Sequence, residues 1–233
     1  MTDQDNLEFV ESYFPMCLDA YKQLPYGIQR ADVIRYMWLY IHGGMYLDLD
    51  YEVLQNFEPL IEEIDAPLLV LHSGNLHWVL TNSLILAKPK QEIFLQMIYS
   101  ALFTKLPWYY VGKHIRVMFS TGPMMFHDII INSEMPYAVL PRKLFMPVGT
   151  TQKDSGTSFS MDLKTYTKPL PGGTWNSIDS FVFNFILEFR KELACLLGIL
   201  TLIFARNHLH YAEHTEALLR VINQLKIKLR RVK

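Results

Sequence analysis

Residues 28–42 carry apolar positions at helical spacing, with Ile34, Trp38 and Ile41 placed to form one buried face. Gly43-Gly44 then supplies a helix stop. The period changes at once. From Met45 to Glu52 the chain alternates, with Met45, Leu47, Leu49 and Val53 on one face and Tyr46, Asp48, Asp50 and Glu52 on the other. The pattern predicts further short helices over 6–14 and 16–24, separated by Pro15, and over 57–64. Residues 67–72 and 79–87 read as strands, 91–106 as an amphipathic helix, 124–131 as a helix and 137–140 as a short strand. Residues 107–120 read as a loop rich in Trp, Tyr and Lys, and 150–173 as the longest irregular stretch, expected to close over a ligand. Helices alternating with strands predict an α/β core over 1–176, a mixed sheet flanked by helices, followed by a helical C-terminal region over 177–233.

The alternating strand delivers Asp48 and Asp50 to its carboxyl end, where α/β sheets place ligands. Residues i and i+2 of a strand share a face, roughly 6.6 Å apart, and a bend at the strand's end would bring both carboxylates to one ion. Carboxylate oxygens suit a hard divalent cation, Mg²⁺ or Mn²⁺, which is commonly shared between protein and substrate phosphates. The expectation is a site for a nucleotide-activated donor.

Gln29-Arg30-Ala31-Asp32-Val33-Ile34-Arg35-Tyr36, followed by Leu39-Tyr40-Ile41-His42-Gly43-Gly44-Met45-Tyr46-Leu47-Asp48-Leu49-Asp50, resembles the core of glycosyltransferase family 32, and within it the inositol-phosphoceramide mannosyltransferases. The likeness includes Leu24-Pro25-Tyr26-Gly27, Asn82-Ser83-Leu84-Ile85 with Lys88-Pro89, Ser120-Thr121-Gly122-Pro123 and Gly172-Gly173-Thr174-Trp175. The resemblance implies a metal-dependent, retaining hexosyltransferase with a GT-A-like (Rossmann-like) fold. Its donor would be a nucleotide sugar, GDP-mannose favoured, and its acceptor a glycan or sphingolipid-type molecule, in Golgi or secretory-type membranes. Carried over by position, Asp48 and Asp50 would be the catalytic, metal-binding pair. Arg30, Asp32, Arg35, Gly44, Tyr46 and Asn82 would bind donor, and Thr121, Gly122, Pro123 and Trp175 would line the sugar and acceptor pocket. Relatives often carry Asn-Asp where this chain has Asn82-Ser83, and His where it has Pro169 and Asn176; Asp179 is a candidate substitute ligand. Relatives also have a strand and helix before the region resembling Thr2-Asp3-Gln4-Asp5. A truncated, non-catalytic relative acting as scaffold or regulator is the alternative.

Composition narrows the partners. Half of the 233 residues are apolar, enough for a real core. A net charge of −1 gives no electrostatic case for nucleic acid. The two cysteines, Cys17 and Cys195, read as buried thiols rather than a disulfide framework.

The last third changes character. Residues 193–205 run thirteen positions without a charge, short of the ~20 needed to span a bilayer. They read either as a buried helix, which fits a cytoplasmic protein, or as a membrane-dipping one. Lys226, Lys228, Arg230, Arg231 and Lys233 interleave with Ile227 and Leu229, a mix suited to an anionic membrane surface or to a solvated helix end. His210-Tyr211-Ala212-Glu213-His214 matches the inverted zinc-peptidase pattern and defines a rival reading as a zinc metallohydrolase.

Overall fold

The computed structural model describes residues 2–74, 76–145, 165–170, 178–192 and 194–201. The chain divides into two units, Met1–Ser180 and Phe181–Lys233.

In the first unit, α1 (Asp3–Tyr13) starts at a reciprocal cap in which Thr2 and Asp5 satisfy each other's backbone amides. A 3₁₀ turn over Pro15–Cys17 and α2 (Leu18–Lys22) lead into α3 (Gly27–His42), which ends at Gly43. β1 (Gly44–Leu47), β2 (Tyr51–Val53), α4 (Glu58–Glu63), β3 (Leu68–His72), β4 (Leu80–Ala87) and α5 (Glu92–Phe103) follow. α6 (Lys113–Ser120), α7 (Pro123–Ile131), β5 (Ala138–Val139), α8 (Arg142–Phe145) and β6 (Thr167–Pro169) complete this part.

The main sheet runs β1-β4-β3-β5. β4 is antiparallel to both β1 and β3, whereas β5 runs parallel to β3. This is the expected mixed sheet flanked by helices, consistent with a GT-A-like fold. Leu68 and Val70 face one core with α1, α3, α5 and α7, while Leu69 and Leu71 face a second core with Phe57, Leu60, Leu140 and Phe145. Burial on both faces explains why β3 and β4 read as near-continuous apolar runs.

Four expectations are corrected. The strand expected over Met45–Glu52 is two strands in two sheets. It breaks at Asp48-Leu49-Asp50, where the Tyr51 amide turns back to the Asp48 carbonyl at 3.2 Å, and Leu49, expected on the apolar face, is fully exposed. Of the expected stripe of α3, Ile34 and Ile41 are half-buried against the core, while Trp38 is exposed and meets Phe9 of α1 at 4.9 Å between ring centroids. The fully buried face runs through Gln29, Asp32, Val33, Arg35, Tyr36, Met37 and Leu39, because polar residues turn inward with the apolar ones. The expected loop over 107–120 contains α6, entered through Gly112 at φ +91°. The expected irregular stretch over 150–173 contains β6, which pairs with β2; the rest of that stretch apart from 165–170 lies outside the described residues.

The second unit shares α9 (Ile178–Glu188) with the first, and helical residues continue over 194–201. Cys195, expected to be buried, is exposed there, and Cys17 is half-buried; both are free thiols. Among the described residues, no helix is long and apolar enough to cross a membrane.

Candidate functional site

The site forms where β1 runs out and α3 lies across it. At the carboxyl end of β1 the ladder's last bond joins the Asp48 amide to the Ser83 carbonyl at 2.9 Å. From there Asp48 is held by side chains. Arg35 Nη1 donates to its Oδ1 at 3.1 Å, and the Tyr46 hydroxyl donates to the same oxygen at 2.8 Å. Both bonds fall on Oδ1, which leaves Oδ2 without a hydrogen bond among the described residues. The Arg35 guanidinium also lies over the Tyr46 ring, 4.4 Å from its centroid, which fixes the plane of both groups.

Arg35 is buried and shared. Its Nη2 meets Asp32 Oδ1 at 2.8 Å, its Nη1 donates to the Asn82 carbonyl at 2.7 Å, and its Nε to the Ala31 carbonyl at 3.2 Å. Burial opposes its charge, but Asp32 and Asp48 outweigh that and hold it protonated. Asp32 is the better-buried carboxylate. Thr121 Oγ1 donates to its Oδ2 at 2.8 Å and Asn82 Nδ2 to its Oδ1 at 2.9 Å. Burial nevertheless pushes its pKa up to about 6, because desolvation outweighs the Arg35 pairing and these bonds. The Tyr36 hydroxyl closes the network, accepting from Asn82 Nδ2 at 2.9 Å and donating to the Thr121 carbonyl at 2.7 Å.

A β-bulge makes this network possible. Val70 pairs with Ile85, yet the next residue, Leu71, pairs with Thr81. The skipped segment, Asn82 to Leu84, is released from β3. The Asn82 carbonyl is thereby free to accept from Arg35 and its amide to reach Asp32, a use of bulges common beside functional sites.

Asp50 completes the turn. Its backbone carbonyl accepts from the Leu170 amide at 2.6 Å, so the strand β6 is clamped against the residues that follow the carboxylates. Its side-chain Oδ1 is buried and has no hydrogen-bond partner among the described residues. Burial, and then the neighbouring Asp48 charge, raise its pKa. A buried carboxylate oxygen without a partner costs free energy unless a cation completes it. Asp32, Asp48 and Asp50 against Arg35 leave two net negative charges, the complement of one divalent cation. Among the described residues no group of three or more His, Cys, Asp and Glu gathers for a metal. Carboxylate oxygens such as those of Asp48 and Asp50 are the ligand type that hard divalent cations, Mg²⁺ or Mn²⁺, take together with phosphate and water oxygens.

The structure thus brings together Asp48, Asp50, Arg35, Tyr46, Asp32, Asn82 and Thr121. Asp32, Arg35, Asn82 and Thr121 are buried and act on the surface through Asp48. Gly122 and Pro123 start α7 directly after Thr121, and a Cβ on Gly122 would come within 2.9 Å of the Val117 carbonyl oxygen. Arg30 lies apart, its Nη1 on the Leu24 carbonyl at 2.9 Å. Gly44 pairs with Ala87 at the opposite end of β1 from Asp48. Asp179 accepts from the His114 amide at 2.6 Å and so holds the start of α6. Pro169 stands opposite Tyr51 in the β2–β6 ribbon. Trp175, Asn176, His210, Glu213, His214 and the basic tail lie outside the described residues. Sequence reasoning missed Tyr36, Tyr51 and Thr81. The Tyr51 hydroxyl and Thr81 Oγ1 each lie 3.0 Å from Ser83 Oγ, so hydroxyls line the position where relatives often carry Asp.

Residues 1–66 match the family described as "Glycosyltransferase sugar-binding region containing DXD motif". This part of the chain is similar to a DXD glycosyltransferase region. The region contains α3, β1 and both carboxylates. Over 203 residues the chain is 29% identical to inositol phosphoceramide mannosyltransferase 3 of Schizosaccharomyces pombe, covering 86% of this chain and 52% of that protein. It is 25% identical over 218 residues to inositol phosphoceramide mannosyltransferase 1 of the same yeast, covering 88% of this chain and 62% of that protein. Over 123 residues it is 31% identical to mannosyl phosphorylinositol ceramide synthase CSH1 of Saccharomyces cerevisiae, covering 53% of this chain and 31% of that protein. The chain thus spans between about a third and two thirds of the curated relatives it matches. No solved structure matches it significantly.

Proposed function

We infer that this chain transfers a hexose, mannose favoured, from a nucleoside-diphosphate sugar to a lipid-linked acceptor at a membrane. The observation that carries this reading is the Asp48–Asp50 turn: one carboxylate fixed through a single oxygen by Arg35 and Tyr46, the other with a buried, unpartnered oxygen. The relatives' names support mannose as the sugar and an inositol phosphoceramide as the acceptor. GDP-mannose is the donor this implies.

Asp48 and Asp50 would hold Mn²⁺ or Mg²⁺, which would neutralise charge on the departing nucleoside diphosphate. The remaining residues orient the carboxylates. Arg35 and Tyr46 fix the plane of the Asp48 carboxylate before donor arrives, so little ordering is left to pay on binding. Asp32 takes part of the Arg35 charge, so the guanidinium is not paired with Asp48 alone. Residues 1–176 form the transferase core in this reading, and the helical region beyond them is a separate part.

The test is calorimetric titration of GDP-mannose with and without Mn²⁺, followed by assay of mannose transfer to an inositol phosphoceramide. Binding that needs Mn²⁺ and is lost in Asp50→Ala supports the reading. Transfer that continues unchanged after chelation of divalent ions refutes it.

A further inference from the structure

We propose that the loop between α5 and α6, together with the outer stripe of α5, is a docking surface for an anionic lipid bilayer. Trp108 is 84% exposed and Val111 69% exposed, with Tyr109 exposed between them. Leu95, Tyr99 and Phe103, spaced four residues apart, form a continuous exposed apolar stripe on α5 that leads into this loop. Tyr99 and Phe103 are in ring contact at 5.5 Å. Large aromatics left in water along one contiguous surface mark an interaction site.

The loop is built rather than loose. The Tyr110 amide donates to the Pro107 carbonyl at 3.1 Å, and Arg116 Nε donates to the Tyr110 carbonyl at 3.1 Å. The Tyr110 ring packs edge-on against Phe119 at 5.0 Å. Gly112, at φ +91°, turns the chain into α6 beside Asp179, whose carboxylate holds the His114 amide. Tyr110 is therefore the inward pin, and Trp108, Tyr109 and Val111 are held outward.

Charge selects the occupant. Residues 93–127 contain no Asp or Glu, and Lys105, Lys113 and Arg116 flank the aromatic tip; the carboxylate that reaches the loop, Asp179, is engaged by the His114 amide. Trp and Tyr with basic neighbours suit the headgroup layer of an anionic membrane, where the ring enters the interface and the cation stays at its surface. A second copy of this chain would set the same basic patch against itself, which like charges oppose. The position also fits. Lys113 Nζ lies 5.8 Å from the centroid of the Tyr26 ring, at the start of α3. That end of α3 is about 12 Å from Arg35 by helical rise, and Arg35 holds Asp48. A bilayer met by this loop would present a lipid-linked acceptor to the carboxylate edge.

The experiment is flotation of the whole chain with phosphatidylcholine vesicles, with and without phosphatidylserine. It reads no turnover, so its outcome is separate from that of the transferase reading. Binding is expected to phosphatidylserine vesicles. It should fall about tenfold or more in the triple variant Trp108→Ser, Tyr109→Ser, Val111→Ser, and about fivefold in Lys105→Gln, whose exposed site leaves melting unchanged. Brominated lipid should quench the parent's tryptophan emission more than that of Trp108→Phe. Absence of vesicle binding, equal binding by parent and triple variant, or equal quenching of parent and Trp108→Phe overturns the proposal. So does self-association of the parent that the triple variant abolishes while vesicle binding persists.

Discussion

Arg35 Nη1 stands 3.1 Å from Asp48 Oδ1, a contact that spans thirteen residues and joins the middle of α3 to the end of β1. The same guanidinium holds Asp32 and the Asn82 carbonyl, and it is buried. Lysine has one point charge and cannot reproduce this fork. Arg35→Lys is expected to lower stability by about 3 kcal/mol, because Asp32 is left buried with its partners misaligned. It should also weaken Mn²⁺-dependent donor binding more than tenfold. Urea unfolding and donor titration check the two effects separately.

Tyr46 bears on the same carboxylate without bearing on the fold to the same degree. Tyr46→Phe deletes the 2.8 Å bond to Asp48 and keeps the ring under Arg35. Loss of a group that orients a metal ligand costs roughly 10-fold to 100-fold in affinity, against about 1 kcal/mol of stability for one hydrogen bond. The expected result is a weaker apparent affinity for Mn²⁺ in the presence of donor, with near-normal melting.

Much of this arrangement was legible in the sequence, and the reasons it was only partly so are specific. The unit α3–Gly43–Gly44–β1 announces itself because the period changes sharply at two glycines, and β3, β4 and α5 follow from local pattern. The break at Asp48 does not. Met45 to Glu52 alternates as one strand would, and what ends β1 is the pull of Arg35 and Tyr46 on Asp48. β2 is stabilised by β6, more than a hundred residues away, so no window along the chain contains both. α6 begins without a Ser, Thr, Asp or Asn cap, and its start is set by Gly112 and by Asp179 from a distant segment. The inward face of α3 is wider than its apolar positions indicate for a chemical reason: Asp32 and Arg35 are buried as a pair, and polarity alone gives no sign of pairing.

Asp32 ties stability to pH. Its pKa is about 6 in the folded protein, raised mainly by burial, against 3.8 for the free side chain. A raised acid contributes stability that is fully present below the unfolded value and is lost as pH rises through the folded value. The contribution therefore disappears between about pH 4 and pH 6. Asp32→Asn resembles the protonated form. It is expected to lose its relative disadvantage as pH rises, melting near or above the parent at pH 7. Its cation-dependent donor binding should be weaker, because the Arg35 charge then falls wholly on Asp48. Melting curves of both proteins across this range, with a donor titration at pH 7, test the pair of effects; a constant melting difference from pH 4 to pH 7 refutes the linkage.

The adjacent glycines Gly43 and Gly44 give the last contrast. Both have positive φ, +65° and +89°, so a side chain at either is strained by about 1–3 kcal/mol. Only at Gly43 is the space also taken. A Cβ there would lie 2.6 Å from the Pro89 nitrogen and 2.8 Å from the Ala87 carbonyl oxygen, both backbone atoms, whereas nothing approaches within 4 Å at Gly44. Gly43→Ala must therefore push the start of β1 away from β4 and is expected to cost more than Gly44→Ala by at least ~1 kcal/mol. Gly44 pairs with Ala87, at the end of β1 remote from Asp48. Gly44→Ala is expected to lower the urea midpoint modestly and leave donor affinity unchanged. Loss of donor affinity in Gly44→Ala at unchanged stability would instead place that glycine against the donor.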